Sequence, residues 1–283
     1  MAAPRTWREL QVEVIEILQS PVDTRRLLEE ASGYHGAELV LHLDDPVTAR
    51  SGSYLAAMVA RRAAGEPLQY VLGRWGFRHL DLMVDPRVLI PRPETEQVVG
   101  WALEEAATLG VARPVVADLG TGSGAIALSL VTELRGAEVW ATDVSADALD
   151  VARANLAGVG GSAATRVQLR QGSWWSALPD SLAGRLDLVV SNPPYVGEYD
   201  PLPVEVDAYE PRVALRSGND GLDAIRVIVA GARDWLCRGG VLVTELAPSQ
   251  AVAAAALAAA AGAVRTRIRI DALLRERALV AQW

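Results

Sequence analysis

The chain reads as an α/β protein: a mostly parallel sheet covered by helices, preceded by an all-helical segment and a short hairpin. Three observations carry that reading. From about residue 114 strand-like and helix-like patterns alternate, as they must when parallel strands are joined by crossover helices. About the first 75 residues show apolar side chains at helical spacing and no strand alternation. Between them, Phe77, Leu80, Leu82 and Val84 look extended, and Asp85-Pro86 turns the chain toward Val88-Leu89-Ile90. The expected divisions are residues 1–74, a hairpin linker over 75–90, and a catalytic domain over 91–283.

Trp7, Leu10, Val14, Ile17 and Leu18 share one helical face, and Ser20-Pro21 stops that run. Further helices are expected over 24–32, 37–43 and 46–64. No catalytic constellation lies there, so the segment reads as a module that grips a partner or substrate. Pro91-Arg92-Pro93-Glu94-Thr95-Glu96 opens the next helix: Pro93 suits a first turn, and the acids suit its positive end. Strands are then expected over 115–119, 138–142, 165–170, 186–191, 241–245, 264–270 and 278–282. Helices cover 125–134, 146–156 and 223–236, followed by an alanine-rich one. About 30 polar residues after Asn192 read as a functional loop.

Composition narrows the function. The net charge of −8 opposes a protein whose main task is gripping nucleic-acid phosphate. All 27 basic residues are arginine, so neither a Schiff-base lysine nor a phosphate-loop lysine exists. The single cysteine, Cys237, excludes an internal disulfide and a multi-cysteine metal site; it lies in a helical pattern and reads as a buried structural thiol. His35, His42 and His79 have no metal-ligand spacing, so no metal is expected. The start lacks a secretory core, and the longest apolar stretch, 251–264, is too short to span a bilayer. A cytoplasmic enzyme without membrane attachment is expected.

Two segments carry chemistry. Asn192-Pro193-Pro194-Tyr195 closes the apolar run 186–191. Two prolines cannot continue a central strand, because neither has an N–H for the ladder. The chain must leave the sheet at a strand's carboxyl end, where open α/β sheets bind ligands. The turn offers an amide, carbonyls and an aromatic ring, parts that suit a planar NH2 group; a plain proline-rich turn is the alternative.

Asp118-Leu119-Gly120-Thr121-Gly122-Ser123-Gly124 links the first strand of the alternating part to the following helix. Its spacing is G-x-G-x-G, not the G-x-G-x-x-G of dinucleotide loops. Asp118 would oppose a pyrophosphate and suit a cationic cofactor, which favours S-adenosylmethionine over NAD. Asp143, ending the second strand, is placed to accept both ribose hydroxyls. Trp174 would stack on the adenine or wall its pocket, or else belong to the core, with Trp175 the competing candidate.

These residues together resemble the release-factor glutamine methyltransferases, the PrmC/HemK family of class I S-adenosylmethionine-dependent methyltransferases. The resemblance runs over nearly the whole chain. It includes Gly65-Glu-Pro-Leu-Gln-Tyr-Val-Leu-Gly73, Val88-Leu-Ile-Pro-Arg-Pro-Glu-Thr-Glu96 and Tyr209-Glu-Pro-Arg-Val-Ala-Leu215 with Gly218 and Asp220-Gly221-Leu222. It implies a Rossmann-like, seven-stranded catalytic domain behind a helical N-terminal domain. It further implies methylation of the glutamine side-chain nitrogen in the Gly-Gly-Gln motif of peptide chain release factors, with S-adenosylhomocysteine as product.

Cofactor contacts are implied at Gly120, Thr121, Gly122, Ser123, Gly124, Asp143, Trp174 and Asn192, and glutamine recognition at Asn192, Pro193, Pro194 and Tyr195. Two departures bear on cofactor affinity: Ser173 stands where many members have Asp, and Leu246 follows Glu245 where relatives often have Gly.

An amide nitrogen is a poor nucleophile because its lone pair is delocalised. The expected mechanism has the Asn192 oxygen and Pro193 carbonyl accept the two amide hydrogens, while Tyr195 packs on the amide face. Such positioning can contribute ~7–11 kcal/mol, and no strong base is expected at the turn. The rival readings are a nucleic-acid amino-methyltransferase acting on adenine N6, cytosine N4 or guanine N2, and a non-catalytic binding module.

Overall fold

The computed structural model describes residues 5–283, which divide into two compact units, one ending at Arg74 and one starting at Trp75. The first is helical: α1 (Trp7–Leu18), α2 (Pro21–Ser32), α3 (Ala37–Leu41), α4 (Ala49–Ala63) and α5 (Leu68–Leu72). Thr6 closes a capping box with Glu9, and Ser20 and Thr48 cap α2 and α4. Trp7, Leu27, Leu28, Leu55 and Met58 form this unit's own core.

The boundary falls at the first residue of a hairpin, β1 (Arg74–Phe77) and β2 (Leu80–Met83), the rest of which opens the second unit. Its turn is Arg78-His79, with Arg78 at φ +50°, so the turn expected at Asp85-Pro86 is not the hairpin turn and Val88–Ile90 forms no strand. Arg78 is held there through its backbone N–H, which donates to Glu96 Oε1 at 3.1 Å, and through its guanidinium. Nε and Nη2 donate to Glu133, each at 2.6 Å, and Nη1 donates to the Glu96 carbonyl. Phe77 and Leu82 are buried in the core beneath the sheet.

Alternation follows as α6 (Pro93–Leu109), β3 (Val115–Leu119), α7 (Ala125–Glu133), β4 (Glu138–Asp143), α8 (Ala146–Val159), α9 (Gly161–Ala164), β5 (Val167–Gln171) and β6 (Leu186–Ser191). The segment after Asn192 is not structureless: it contains α10 (Val204–Tyr209) and α11 (Arg212–Leu215), followed by α12 (Asp223–Trp235). β7 (Leu236–Glu245), α13 (Ala251–Ala260), β8 (Arg265–Ile270) and β9 (Glu276–Gln282) complete the unit.

Cys237 therefore lies on a strand rather than a helix. It is half-buried, and its thiol approaches Asp187 at 3.5 Å.

The seven-stranded sheet runs β5-β4-β3-β6-β7-β9-β8, with β9 antiparallel to both neighbours and the other pairings parallel. The order reverses between β3 and β6, so the chains leaving these strands diverge and open a crevice at their carboxyl ends. Burial on both faces explains the unbroken apolar runs. In β6 the residues Leu188, Val189 and Val190 are all fully buried, and no apolar–polar alternation interrupts them. Among the described residues no helix is long and apolar enough to cross a membrane.

Candidate active site

A cavity of about 410 Å³ occupies the crevice. Gly120–Ser123, Asp143, Ser173, Trp174, Asn192 and Pro194 are on its wall. Gly124, Pro193 and Tyr195 are not. Pro193 is buried and Tyr195 half-buried.

The glycine loop is held by its backbone. Gly120 and Thr121 both donate to the Thr142 carbonyl, at 2.9 and 2.8 Å. Gly120 adopts φ +80°, and a Cβ there would lie 3.5 Å from the Trp174 ring. Gly124, at φ +87°, instead packs against Leu128 and starts α7. The Asp143 carboxylate accepts from Gly122 N–H and Ser145 N–H, both at 2.9 Å, and so is fixed where β4 ends. Burial raises its pKa, while those N–H donors oppose the rise.

Asp118 departs from the expectation of a carboxylate facing a cationic ligand. It is fully buried and off the cavity wall. Its Oδ2 accepts from Thr121 Oγ1 at 2.6 Å and Ala127 N–H at 3.0 Å, locking the loop to the start of α7. Its Oδ1 has no hydrogen-bond partner among the described residues, and desolvation pushes its pKa up to about 7. Of the two tryptophans, Trp174 walls the cavity. Trp175 is buried, stacks on Trp235 and donates its indole N–H to the Val227 carbonyl at 3.1 Å.

The turn after β6 is organised by residues from distant segments. Asn192 Nδ2 donates to Thr95 Oγ1 at 3.1 Å, and Thr95 Oγ1 donates to Glu245 Oε2 at 2.7 Å. The Tyr195 hydroxyl donates to Glu245 Oε1 at 3.2 Å. Gln250 donates to the Tyr195 carbonyl at 2.8 Å. A Cβ on Gly221 would collide with that same carbonyl, which restricts the position to glycine. The Arg92 guanidinium pairs with buried Glu210, whose other oxygen accepts from Ile90 N–H.

Sequence reasoning does not single out Thr95, Glu245 or Gln250 as site residues. Thr95 and Glu245 nevertheless stand inside segments it notes, and an acid ending an apolar strand is the signal that could have found Glu245. Asn155 is a further supporting residue: its Nδ2 donates to the carbonyls of Ser123 and Met83, tying the loop to β2.

A glycine loop after the first parallel strand, an acid ending the next, and a crevice at the order reversal define a Rossmann-like methyltransferase. The match of residues 103–201 to the methyltransferase small domain supports that class, and residues 6–73 match the PrmC N-terminal domain. The chain belongs to the release factor glutamine methyltransferase family. It is 45% identical to the member from Burkholderia pseudomallei, covering 91% of this chain and 90% of the relative. A Xylella fastidiosa member is 44% identical, covering 92% of each.

Among solved structures, a methyltransferase from Pyrococcus furiosus has a TM-score of 0.53 at 18% identity, covering 81% of this chain and 98% of that one. The hMettl16 catalytic domain, solved with the MAT2A 3'UTR hairpin 6, has a TM-score of 0.57 at 17% identity, covering 80% and 81%. At such identities the likeness is one of fold.

Proposed function

We propose that this protein transfers a methyl group from S-adenosylmethionine to the side-chain amide nitrogen, N5, of the glutamine in the Gly-Gly-Gln motif of peptide chain release factors. S-adenosylhomocysteine would be the second product. The observation that carries the reading is the Asn192 side chain on the cavity wall, its Nδ2 already committed to Thr95. That arrangement leaves Oδ1 as the polar end available to an incoming N–H. The activity for which the family is named makes that N–H donor a glutamine amide.

The residues fit the cofactor. Asp143 is anchored by two backbone N–H groups and keeps carboxylate lone pairs for a diol, while Trp174 supplies an aromatic wall beside Gly120. Gly120 to Ser123, Asp143, Trp174 and Asn192 would hold it, whereas Gly124, expected to join them, serves the start of α7. When bound, S-adenosylmethionine supplies an electrophilic methyl on its sulfonium. The chain's own contribution is orientation: Asn192 Oδ1 and the Pro193 carbonyl accept the two amide hydrogens, and the Tyr195 ring limits the amide's tilt. Holding the reactants in line can contribute ~7–11 kcal/mol, enough to make positioning the main catalytic device.

The domain roles fit this substrate. Residues 1–74 would recognise the release factor, the hairpin region 75–90 would join them to the catalytic part, and residues 91–283 would carry out transfer in the cytoplasm. The net charge of −8 disfavours direct nucleic-acid binding.

The test is labelled-methyl transfer to purified release factor, to that factor with its motif glutamine replaced, and to DNA and RNA. Label only in the intact factor is expected. Label in nucleic acid alone would favour the amino-methyltransferase reading and overturn this one.

A further inference from the structure

We propose that Thr95 and Glu245 are positioning residues, a buried relay that fixes the Asn192 amide in one orientation and anchors both ends of the Asn192–Tyr195 turn. The proposal rests on the functional reading above for its catalytic consequence. Its structural content stands on hydrogen-bond directions alone.

Glu245, the last residue of β7, is fully buried. An ionised carboxylate can only accept hydrogen bonds. With Glu245 ionised, Thr95 Oγ1, 2.7 Å from Oε2, donates to it, which spends the hydroxyl's one proton. The same oxygen can then only accept from Asn192, so the group facing it at 3.1 Å must be Nδ2. The Asn192 carbonyl oxygen is thereby committed to the opposite direction. On the other side Glu245 Oε1 receives the Tyr195 hydroxyl at 3.2 Å. One carboxylate from β7 thus holds the first and last residues of the turn that follows β6, with Thr95 of α6 as intermediary.

The charged groups acting on Glu245 are Arg277 of β9, which favours its ionised form, and Glu94 of α6, which opposes it; desolvation is the largest influence and pushes the pKa up to about 7. The relay therefore strengthens as pH rises, because charge-assisted bonds are stronger than neutral ones.

Two readouts test this. The first is the side-chain amide resonance of Asn192 in isotope-labelled full-length protein, identified by its absence in Asn192→Asp. In the wild type it should shift with pH around neutrality. In Glu245→Gln the shift with pH should vanish, and in Thr95→Val the resonance should move at all pH values and cease to titrate. The second is transfer to release factor. Thr95→Val should lower kcat about 10- to 100-fold, as expected for a misplaced reacting group, with KM changed less than about threefold. Thr95→Ser, which keeps the hydroxyl, should restore most of it.

An Asn192 resonance indifferent to Thr95→Val, or a Thr95→Val enzyme with wild-type kcat, would overturn the proposal. Should wild-type enzyme fail to label release factor, the functional reading falls, and the resonance readout still decides the relay.

Discussion

Gly120–Ser123 of the glycine loop and Asn192 and Pro194 of the Asn192–Tyr195 turn line one cavity, yet the two segments are built in opposite ways. The loop is local and made largely of backbone: Gly120 and Thr121 donate to Thr142, and Gly122 donates to Asp143 across a separation of 21 residues. The turn is non-local and made of side chains: Asn192 leans on Thr95, and Tyr195 on Glu245, across separations of 97 and 50 residues. Under the proposed function, a loop that wraps a cofactor gains from backbone donors and absent Cβ atoms. A turn that orients one amide gains from a fixed direction of hydrogen bonding, which side chains with defined donor and acceptor ends provide.

The largest expected effect separates the two regions by function. Asn192→Ala should reduce kcat about 100-fold or more, with a smaller loss of S-adenosylmethionine affinity because Asn192 is one of several residues that would hold the cofactor, read by labelled-methyl transfer and calorimetry; kcat losses of this size follow removal of one group aimed at a reacting centre. Near-normal turnover in that variant would break the comparison. Asp143→Ala should do the converse. Losing one hydrogen bond to a charged group costs about 1.5–3 kcal/mol, so cofactor binding should weaken by at least roughly 10- to 100-fold, with the effect on kcat at saturating cofactor much smaller.

A third prediction concerns stability. Asp118 under the loop and Glu245 under the turn are both fully buried, with pKa values pushed up to about 7. Groups whose folded pKa is raised contribute stability that is fully present below the unfolded value and lost as pH rises through the folded one. Asp85, Glu133 and Asp220, held low by arginines, lose their contribution only under acid conditions. Between about pH 5 and 8 the free energy of unfolding should therefore fall as pH rises. Asp118→Asn and Glu245→Gln should each flatten that slope in denaturant titrations, and an unchanged slope in both would refute it.

The smallest effect is a gain. Ser173 is on the cavity wall, and Ser173→Asp should tighten cofactor binding about fivefold, the ~1 kcal/mol expected when an acceptor becomes charged, measured by calorimetry.

How much of the fold and site is legible in the sequence follows the same division. The strand over 186–191 and the helix starts at Ala125, Ala146 and Asp223 are readable because apolar period and flanking Gly, Ser or Asp are local signals. The hairpin turn is not, because Asp85-Pro86 has strong turn chemistry, whereas Arg78-His79 has none. Arg78 takes positive φ in a turn where Glu133 and Glu96, far along the chain, hold its guanidinium and Glu96 also accepts from its backbone N–H. Cys237 reads as helical because Trp235-Leu236-Cys237 continues an apolar period that the sheet interrupts by pairing Leu186 with Leu236. Asp118 reads as facing a ligand because its position beside the glycines is visible in sequence, but its direction is not.

By itself the sequence determined the alternating α/β order, the seven strands, the glycine loop, and the proline turn at a strand end. Each of these depends on residues close together along the chain. Only the tertiary structure decided which way Asp118 points, which tryptophan walls the cavity, and how Thr95, Glu245 and Gln250 converge on the turn. Those outcomes depend on strand order: β6 and β7 are neighbours in space while a long insertion separates them in sequence, and α6 packs beside both. Hydrogen-bond direction across that junction is a property of the assembled sheet, and no single segment contains it.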